Sequence, residues 1–167
     1  MNNDNSKSFP IEFSGKNAFM SDVTDSLEDT IKRFPDIGSE NNTVIITDPY
    51  LFKPKDDNYK NNVILALNNL KASKIIYCNK NQPNNAFFTE VANSLQQCTL
   101  EYKSMDRLHD RQWFCIETKK GFFTGTSLNG IDTKICAVDP ISEETCNDLY
   151  RILMREGIVP NGRNETT

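Results

Sequence analysis

The sequence predicts an α/β domain with a mixed, mostly parallel sheet flanked by helices. Strand-like and helix-like apolar runs alternate through the first two-thirds of the chain, which is typical of parallel strands joined by helices. Two short apolar runs around a charged, glycine-containing break then predict a β-hairpin. With 167 residues, 37% of them hydrophobic, the chain suits a single domain with a sizeable core.

The predicted domain spans residues 9–158, between flexible tails at 1–8 and 159–167. Its first element is a short edge strand at 9–13, because Pro10 is tolerated only at an edge or a strand start. A helix is expected from Ser21 to Phe34, capped by Ser21 or Asp22 and ended by Pro35. Its apolar positions recur at helical spacing: Val23, Leu27, Ile31 and Phe34.

Three strand-like runs alternate with two helical runs in the next part of the chain. The strands are expected at 43–47, 74–78 and 99–103, and the helices at 61–72 and 86–97. The compact β-branched run at 43–47 has the composition of a central strand that is buried on both faces.

The hairpin is expected from apolar runs at 112–116 and 122–124 around the break at 117–121. A strand at 134–138 and a turn at Asp139-Pro140 should follow. A last helix begins after the cap Ser142 and ends at Gly157.

The two ends of this hairpin carry the candidate site. His109 and Arg111 precede the first strand, and Ser127 and Asn129 follow the second. Because hairpin ends lie side by side, we expect these four side chains to converge. An imidazole, a fixed cation, a hydroxyl and an amide together can hold a phosphate. The simpler alternative is a surface pair on a strand next to an ordinary turn.

Composition limits the function classes. A net charge of −4 argues against a broadly basic surface that coats nucleic acid. No apolar run approaches the ~18 residues of a membrane span, and Met1–Ser8 lack a signal peptide's apolar core, so we expect a cytoplasmic protein. The five cysteines are expected to be mainly buried free thiols in a reducing compartment, rather than disulfides or a zinc site. No cofactor or metal ion is expected.

The candidate residues resemble the phospholipase D superfamily. Its half-motif is His-x-Lys, four residues, Asp, and then Gly-Ser-x-Asn; here His109, Arg111, Ser127 and Asn129 fall on its His, Lys, Ser and Asn positions. The His-Asp-Arg form is most similar to the phospholipase-D-like domain at the C-terminus of MIT-domain proteins (microtubule interacting and trafficking) and to its bacterial relatives. The resemblance implies a phospholipase-D-like domain in which the hairpin carries the motif.

The chain departs from the superfamily pattern at several positions. Arg111 replaces the lysine, and Ile116 occupies the position of the acid. Glu117 lies one residue later, which in a strand turns it to the opposite face. Glu117 and Asp110 are therefore secondary candidates for a supporting acid. Only one half-motif with one histidine, His109, is present, whereas a working superfamily site uses two.

The resemblance implies two alternative functions. In the superfamily one histidine attacks phosphorus and a second protonates the leaving oxygen, without a metal. With His109 alone, such a phosphodiesterase or nuclease requires a homodimer. The alternative is a non-catalytic phosphate-recognition and dimerisation module that binds a lipid headgroup, nucleic acid or a partner protein. Other proteins of a bacterial defence or mobile-element system are also expected partners, and whether the chain is an enzyme stays open.

Three residues outside the motif have alternative roles. Asp48 ends the strand 43–47 and either contacts the site or caps a turn. Tyr50 follows where open α/β sheets bind ligands, although a core role is favoured. Trp113 alternates with Arg111, so it either lines the site or a dimer interface, or packs in the core.

Overall fold

The structure is a computed structural model, and it describes residues 22–24, 27–107, 110–128, 130 and 136–160, with the backbone alone at 22–24 and 136. In chain order the elements are β1 (Asp22–Thr24), α1 (Leu27–Ile31), a 3-10 helix (Phe34–Ile37), β2 (Thr43–Thr47), α2 (Asp57–Asn69), β3 (Lys74–Asn79), α3 (Asn85–Ser94), β4 (Thr99–Ser104), β5 (Gln112–Cys115), β6 (Lys120–Thr124), β7 (Cys136–Pro140) and α4 (Glu143–Arg155).

The described strands form one sheet in the order β1-β7-β6-β5-β2-β3-β4. The predicted mixed α/β fold class is confirmed. Strands β2, β3 and β4 pair in parallel, whereas the other four described pairings are antiparallel. The expected predominance of parallel pairs is thus corrected. Helices α2 and α3 join the parallel strands, while the short turn between β5 and β6 forces an antiparallel pair.

Several predicted elements are confirmed. Strand β2 coincides with the predicted 43–47 and is buried at four of its five positions. The hairpin of β5 and β6 pairs Gln112 with Phe123 and Cys115 with Lys120. Helix α4 begins after Ser142, whose side chain accepts a hydrogen bond from the Thr145 N–H.

Other predictions need correction. Residues 22–24 form strand β1 instead of the start of a helix, because they pair with β7 across the sheet. Helix α2 begins at Asp57, four residues early, since the Asp56 carboxylate accepts a hydrogen bond from the Tyr59 N–H at 2.7 Å. Asp139 and Pro140 end β7 rather than form a turn. The predicted strand at 9–13 lies outside the described residues.

Two clusters of buried apolar side chains form the hydrophobic core of the described fold. Trp113 is fully buried in the first cluster, with its ring 5.1 Å from Phe34 and 6.1 Å from Phe122. A core role for Trp113 is therefore confirmed. The second cluster includes residues of α4 and also Val159, so the packed part extends into the predicted C-terminal tail.

The described thiols follow the expectation for free cysteines. Cys78, Cys115 and Cys146 are buried free thiols, and Cys98 is half-buried. Burial raises the pKa of the Cys78 thiol to about 12, which makes it a poor nucleophile near neutral pH.

The strand directions bring several loop ends to one edge of the sheet. Strands β2 and β6 end there, and β5, which is antiparallel to both, begins there. We call this the carboxyl edge and define it by Asp48, Arg111 and Ser127. In the described part of the chain, no helix combines the length and apolar character needed to cross a membrane.

Candidate functional site

The carboxyl edge is assembled by the sheet register. Asp48 directly follows β2, and Arg111 directly precedes β5, whose residue Gln112 pairs with Thr47. The Thr124 N–H at the end of β6 donates to the Arg111 carbonyl at 2.9 Å. Main-chain hydrogen bonds thereby fix the ends of β2 and β6 and the start of β5 next to one another. The residues that flank these three strand ends come together as a result.

Asp48 lies at the centre of this edge and is only 1% exposed. Its Oδ1 accepts a hydrogen bond from the Tyr50 N–H at 3.0 Å and lies 4.0 Å from Arg111 Nε. Its main-chain carbonyl accepts a hydrogen bond from the Tyr77 hydroxyl at 2.9 Å. Both the backbone and the carboxyl group are thus held in place.

The protonation of Asp48 is set by its burial. Removal from water raises the pKa of the Asp48 carboxyl above its usual value, because the charged form loses its hydration. The hydroxyl of Ser127, the N–H groups of Tyr50 and Leu128 and the charge of Arg111 oppose this rise. The direction that results is upward, so Asp48 keeps its proton to a higher pH than an exposed aspartate.

Ser127 connects Asp48 to Tyr59. The Ser127 side chain is 4% exposed and hydrogen-bonds with both Asp48 and the Tyr59 phenol. The Tyr59 hydroxyl also donates to the Leu51 carbonyl at 2.7 Å. A buried polar network therefore runs from α2 to the loop after β6.

Arg111 is the cation of the site, and its side chain is 30% exposed. Its Nη1 donates to the Gly125 carbonyl at 3.3 Å, and its Cζ lies 5.5 Å from the centroid of the Tyr50 ring. A cation held over an aromatic face is stabilised by the ring's quadrupole. The guanidinium is thus positioned and still accessible, as recognition of an oxyanion requires.

Metal-ligating side chains do not gather in the described part of the chain, where no group of three or more His, Cys, Asp or Glu is arranged to hold an ion. The Arg111 guanidinium lies beside the Asp48 carboxyl, with its Nε 4.0 Å from Oδ1. The described residues at this site therefore place a guanidinium next to a buried carboxyl.

The structure brings together two of the four predicted site residues. Arg111 and Ser127 both interact with Asp48, whereas His109 and Asn129 lie outside the described residues. Asp110 has an exposed side chain, and its carbonyl accepts a hydrogen bond from Thr47 Oγ1 at 2.5 Å.

Glu117 does not support this site, which corrects the sequence-based expectation. Its Oε2 accepts a hydrogen bond from the Thr43 N–H at 2.9 Å, at the start of β2. Strand β5, four residues long, separates Glu117 from Arg111, and at ~3.4 Å per residue this strand alone spans about 14 Å. The cause is that the chain runs along the full length of β5 between these two residues.

Sequence reasoning left open whether Asp48 contacts the site or caps a turn, and it missed the participation of Tyr59. The signal for Asp48 was present, because a carboxylate directly after a buried strand lies where open α/β sheets place their sites. Tyr59 carries no such signal. It belongs to α2, and its hydroxyl reaches the site only through long-range packing.

Comparisons with known proteins show the fold alone. No family model matches the chain, and no curated protein matches it. The chain is similar to the polyphosphate kinase of Porphyromonas gingivalis, with a TM-score of 0.50 and 10% identity over 83% of this chain. This chain covers 23% of the length of that kinase. The likeness shows a similar fold over most of this chain and nothing about its role.

A second solved structure, the archaeal chromatin protein TrmBL2, has a TM-score of 0.41 and 14% identity. The match covers 90% of this chain and 55% of that chain. Likeness at this level carries no argument about function.

Proposed function

We propose that the carboxyl edge is a phosphate-recognition site in which Arg111 binds the ligand's non-bridging oxygens. The observation that carries this proposal is the convergence of Arg111 and Ser127, far apart in sequence, on the buried carboxyl of Asp48. Side chains from separate loops that meet around a buried charge are typical of sites rather than of surfaces.

The electrostatics support an anionic ligand. Because the pKa of Asp48 is raised, its neutral form persists to a higher pH than that of an exposed aspartate, and wherever Asp48 is neutral the charge of Arg111 is uncompensated. An ionised Asp48 would instead repel a phosphate bound at the same guanidinium. The exposed part of Arg111 can present two N–H groups to one phosphate, which gives strong, charge-assisted hydrogen bonds.

Replacement of Arg111 by alanine tests this proposal. We expect Arg111→Ala to weaken binding of a short fluorescent oligonucleotide by about 10- to 140-fold, since hydrogen bonds to charged groups contribute about 1.5–3 kcal/mol. The affinity is measured by fluorescence anisotropy at fixed salt.

Arg107→Ala is the matched control, because Arg107 is an exposed arginine that pairs with Glu156 at 3.2 Å. Its affinity should stay that of the wild type. Equal affinities for all three proteins would exclude Arg111 as the phosphate ligand.

A metal-independent phosphodiesterase is the second candidate function. The observation that favours it is the buried Asp48 carboxyl with its raised pKa, a group able to hold a proton beside Arg111 and Ser127. In this proposal two copies of the chain form a dimer, and each supplies one His109 to a shared phosphate. One imidazole attacks phosphorus, and the other protonates the leaving oxygen.

Hydrolysis in the presence of EDTA tests this second candidate. We expect cleavage of an oligonucleotide that EDTA does not reduce and that His109→Ala abolishes, while phosphate binding through Arg111 persists. A verified dimer that binds the oligonucleotide without cleaving it would exclude catalysis, and only the recognition function would remain.

A further inference from the structure

A cavity of about 310 Å³ opens beside the candidate site. It lies at the ends of β2 and β3, next to the start of α3, where open α/β sheets bind ligands. Its volume falls at the lower end of small-ligand pockets, which span roughly 300–1,000 Å³. The cavity is therefore large enough for one planar ring system with its substituents.

Tyr50 connects this cavity to Arg111. The residue is 44% exposed, and it lines the cavity while the Arg111 guanidinium lies over its ring at 5.5 Å. Lys53 also lines the cavity, with its Nζ 5.9 Å from the same ring. A phosphate bound at Arg111 therefore lies one aromatic ring away from the cavity.

The cavity wall combines aromatic and amide groups. The rings of Phe52 and Tyr77 meet edge to face at 4.7 Å, and amides of Asn79, Asn81 and Gln82 also line the space. Lys53 is the charged member of the described lining, which contains no acidic residue. Phe52 and Tyr77 are only 2% and 1% exposed, so the aromatic face open to a flat ring is that of Tyr50, while amides offer both hydrogen-bond donors and acceptors to the ring's edge.

We propose that this cavity holds one base of a single-stranded nucleic acid whose phosphate binds Arg111. The inference rests on the phosphate-recognition function proposed above and adds the class of ligand. The base stacks on Tyr50, and the amides contact its edge. The net charge of −4 disfavours wide contact with a duplex or an anionic membrane, whereas a site for one or two nucleotides needs few cations.

Base-bearing and abasic oligonucleotides of equal length separate the two parts of this site. With the full-length protein, Tyr50→Ala should weaken binding of the base-bearing strand by about 5- to 140-fold, the range of one base–aromatic stack. Tyr50→Phe should restore it. Abasic binding should fall in Arg111→Ala and fall less in Tyr50→Ala, which leaves the guanidinium in place but removes the ring beneath it. The control is Tyr150→Ala, which removes a tyrosine paired with Lys119 away from the cavity.

The outcomes distinguish the two proposals. If Arg111→Ala leaves abasic binding intact, the phosphate site itself is wrong. If Arg111→Ala weakens binding but Tyr50→Ala does not affect the base-bearing strand, the base pocket alone is overturned. Binding to phosphatidylcholine vesicles containing phosphatidylinositol 4-phosphate, without binding to either strand, would also overturn it.

The salt dependence gives an independent check. The one phosphate bound by Arg111 predicts a slope of log affinity against log salt of roughly −0.7, the value per phosphate for single strands. Asn81→Ala and Gln82→Ala should change the preference among the four bases without changing abasic binding. A base preference that neither substitution alters would contradict edge recognition by these amides.

Discussion

Two carboxyl groups, at opposite ends of the central strands, differ in their exposure to water. At one edge Glu117 is exposed and accepts a hydrogen bond from the Thr43 N–H at 2.9 Å. Beside it Thr118 Oγ1 donates to the Ile37 carbonyl at 2.5 Å. At the carboxyl edge Asp48 is 1% exposed and its pKa is raised by burial.

This difference separates a structural edge from a candidate functional one. A hydrated carboxylate that joins two chain segments costs little, whereas burial of a carboxyl group carries a desolvation penalty. Titratable groups held in such unfavourable surroundings cluster at functional sites. The buried Asp48 therefore fits the proposed ligand site better than a role in the stability of the fold.

The largest expected effect concerns Trp113, which lies in β5 between the two edges. Trp113→Ala should lower the free energy of unfolding by about 3–5 kcal/mol, the usual cost of removing a large buried aromatic ring. Urea denaturation measures this change. Trp113→Phe, the control, should retain part of the stacking on Phe34 and lose less. A stable Trp113→Ala protein that has lost only ligand binding would place Trp113 in the site instead.

A smaller effect is expected from the charge of Asp48. The raised pKa of Asp48 gives a stabilising contribution that is fully present below the unfolded-state pKa and is lost as pH rises through the folded-state pKa. Asp48→Asn should remove this pH dependence and be at least as stable as the wild type at neutral pH. Thermal unfolding across the acidic to neutral range measures it.

The same substitution affects ligand affinity. Wild-type phosphate binding should strengthen as pH falls through the range in which Asp48 takes up its proton, because repulsion of the anion then disappears. Asp48→Asn should bind with little dependence on pH. If the substitution instead destabilises the protein at every pH, the carboxylate has the structural role that the comparison assigns to Glu117.

Local patterns predicted some of these elements well. The β-branched run of β2 and the Ser142 cap of α4 depend on residues near in sequence, so their positions were found to within a residue. Strand β1 was missed because its strand character comes from pairing with β7. The helical spacing of Leu27 and Ile31 was real, but the helix begins at Leu27 and residues 22–24 form β1.

The same distinction, between local patterns and long-range packing, applies to the prediction of the site residues. The hairpin predicted that the residues at its two ends meet, and Arg111 and Ser127 do share Asp48. Burial of Asp48 and the reach of Tyr59 depend on helix packing, which no local pattern contains. Glu117 was misplaced because alternation within a strand gives the face of a residue but not the edge of the sheet to which it belongs.

The smallest expected effect is that of Glu117→Gln at the opposite edge. The amide keeps an oxygen acceptor for the Thr43 N–H, so stability should change by no more than about 0.5 kcal/mol. Oligonucleotide affinity should equal that of the wild type in the same anisotropy assay. A marked loss of affinity would extend the site to both edges and remove the contrast between them.

The most direct test of the account is the NMR signal of the Arg111 side chain during titration with dimethyl phosphate. The Arg111 Nε–H resonance, assigned by its disappearance in Arg111→Lys, should shift and saturate, while that of Arg107 should stay unchanged. Equal, unsaturating shifts of both arginines, or no shift at all, would contradict a phosphate site built on Arg111 beside Asp48.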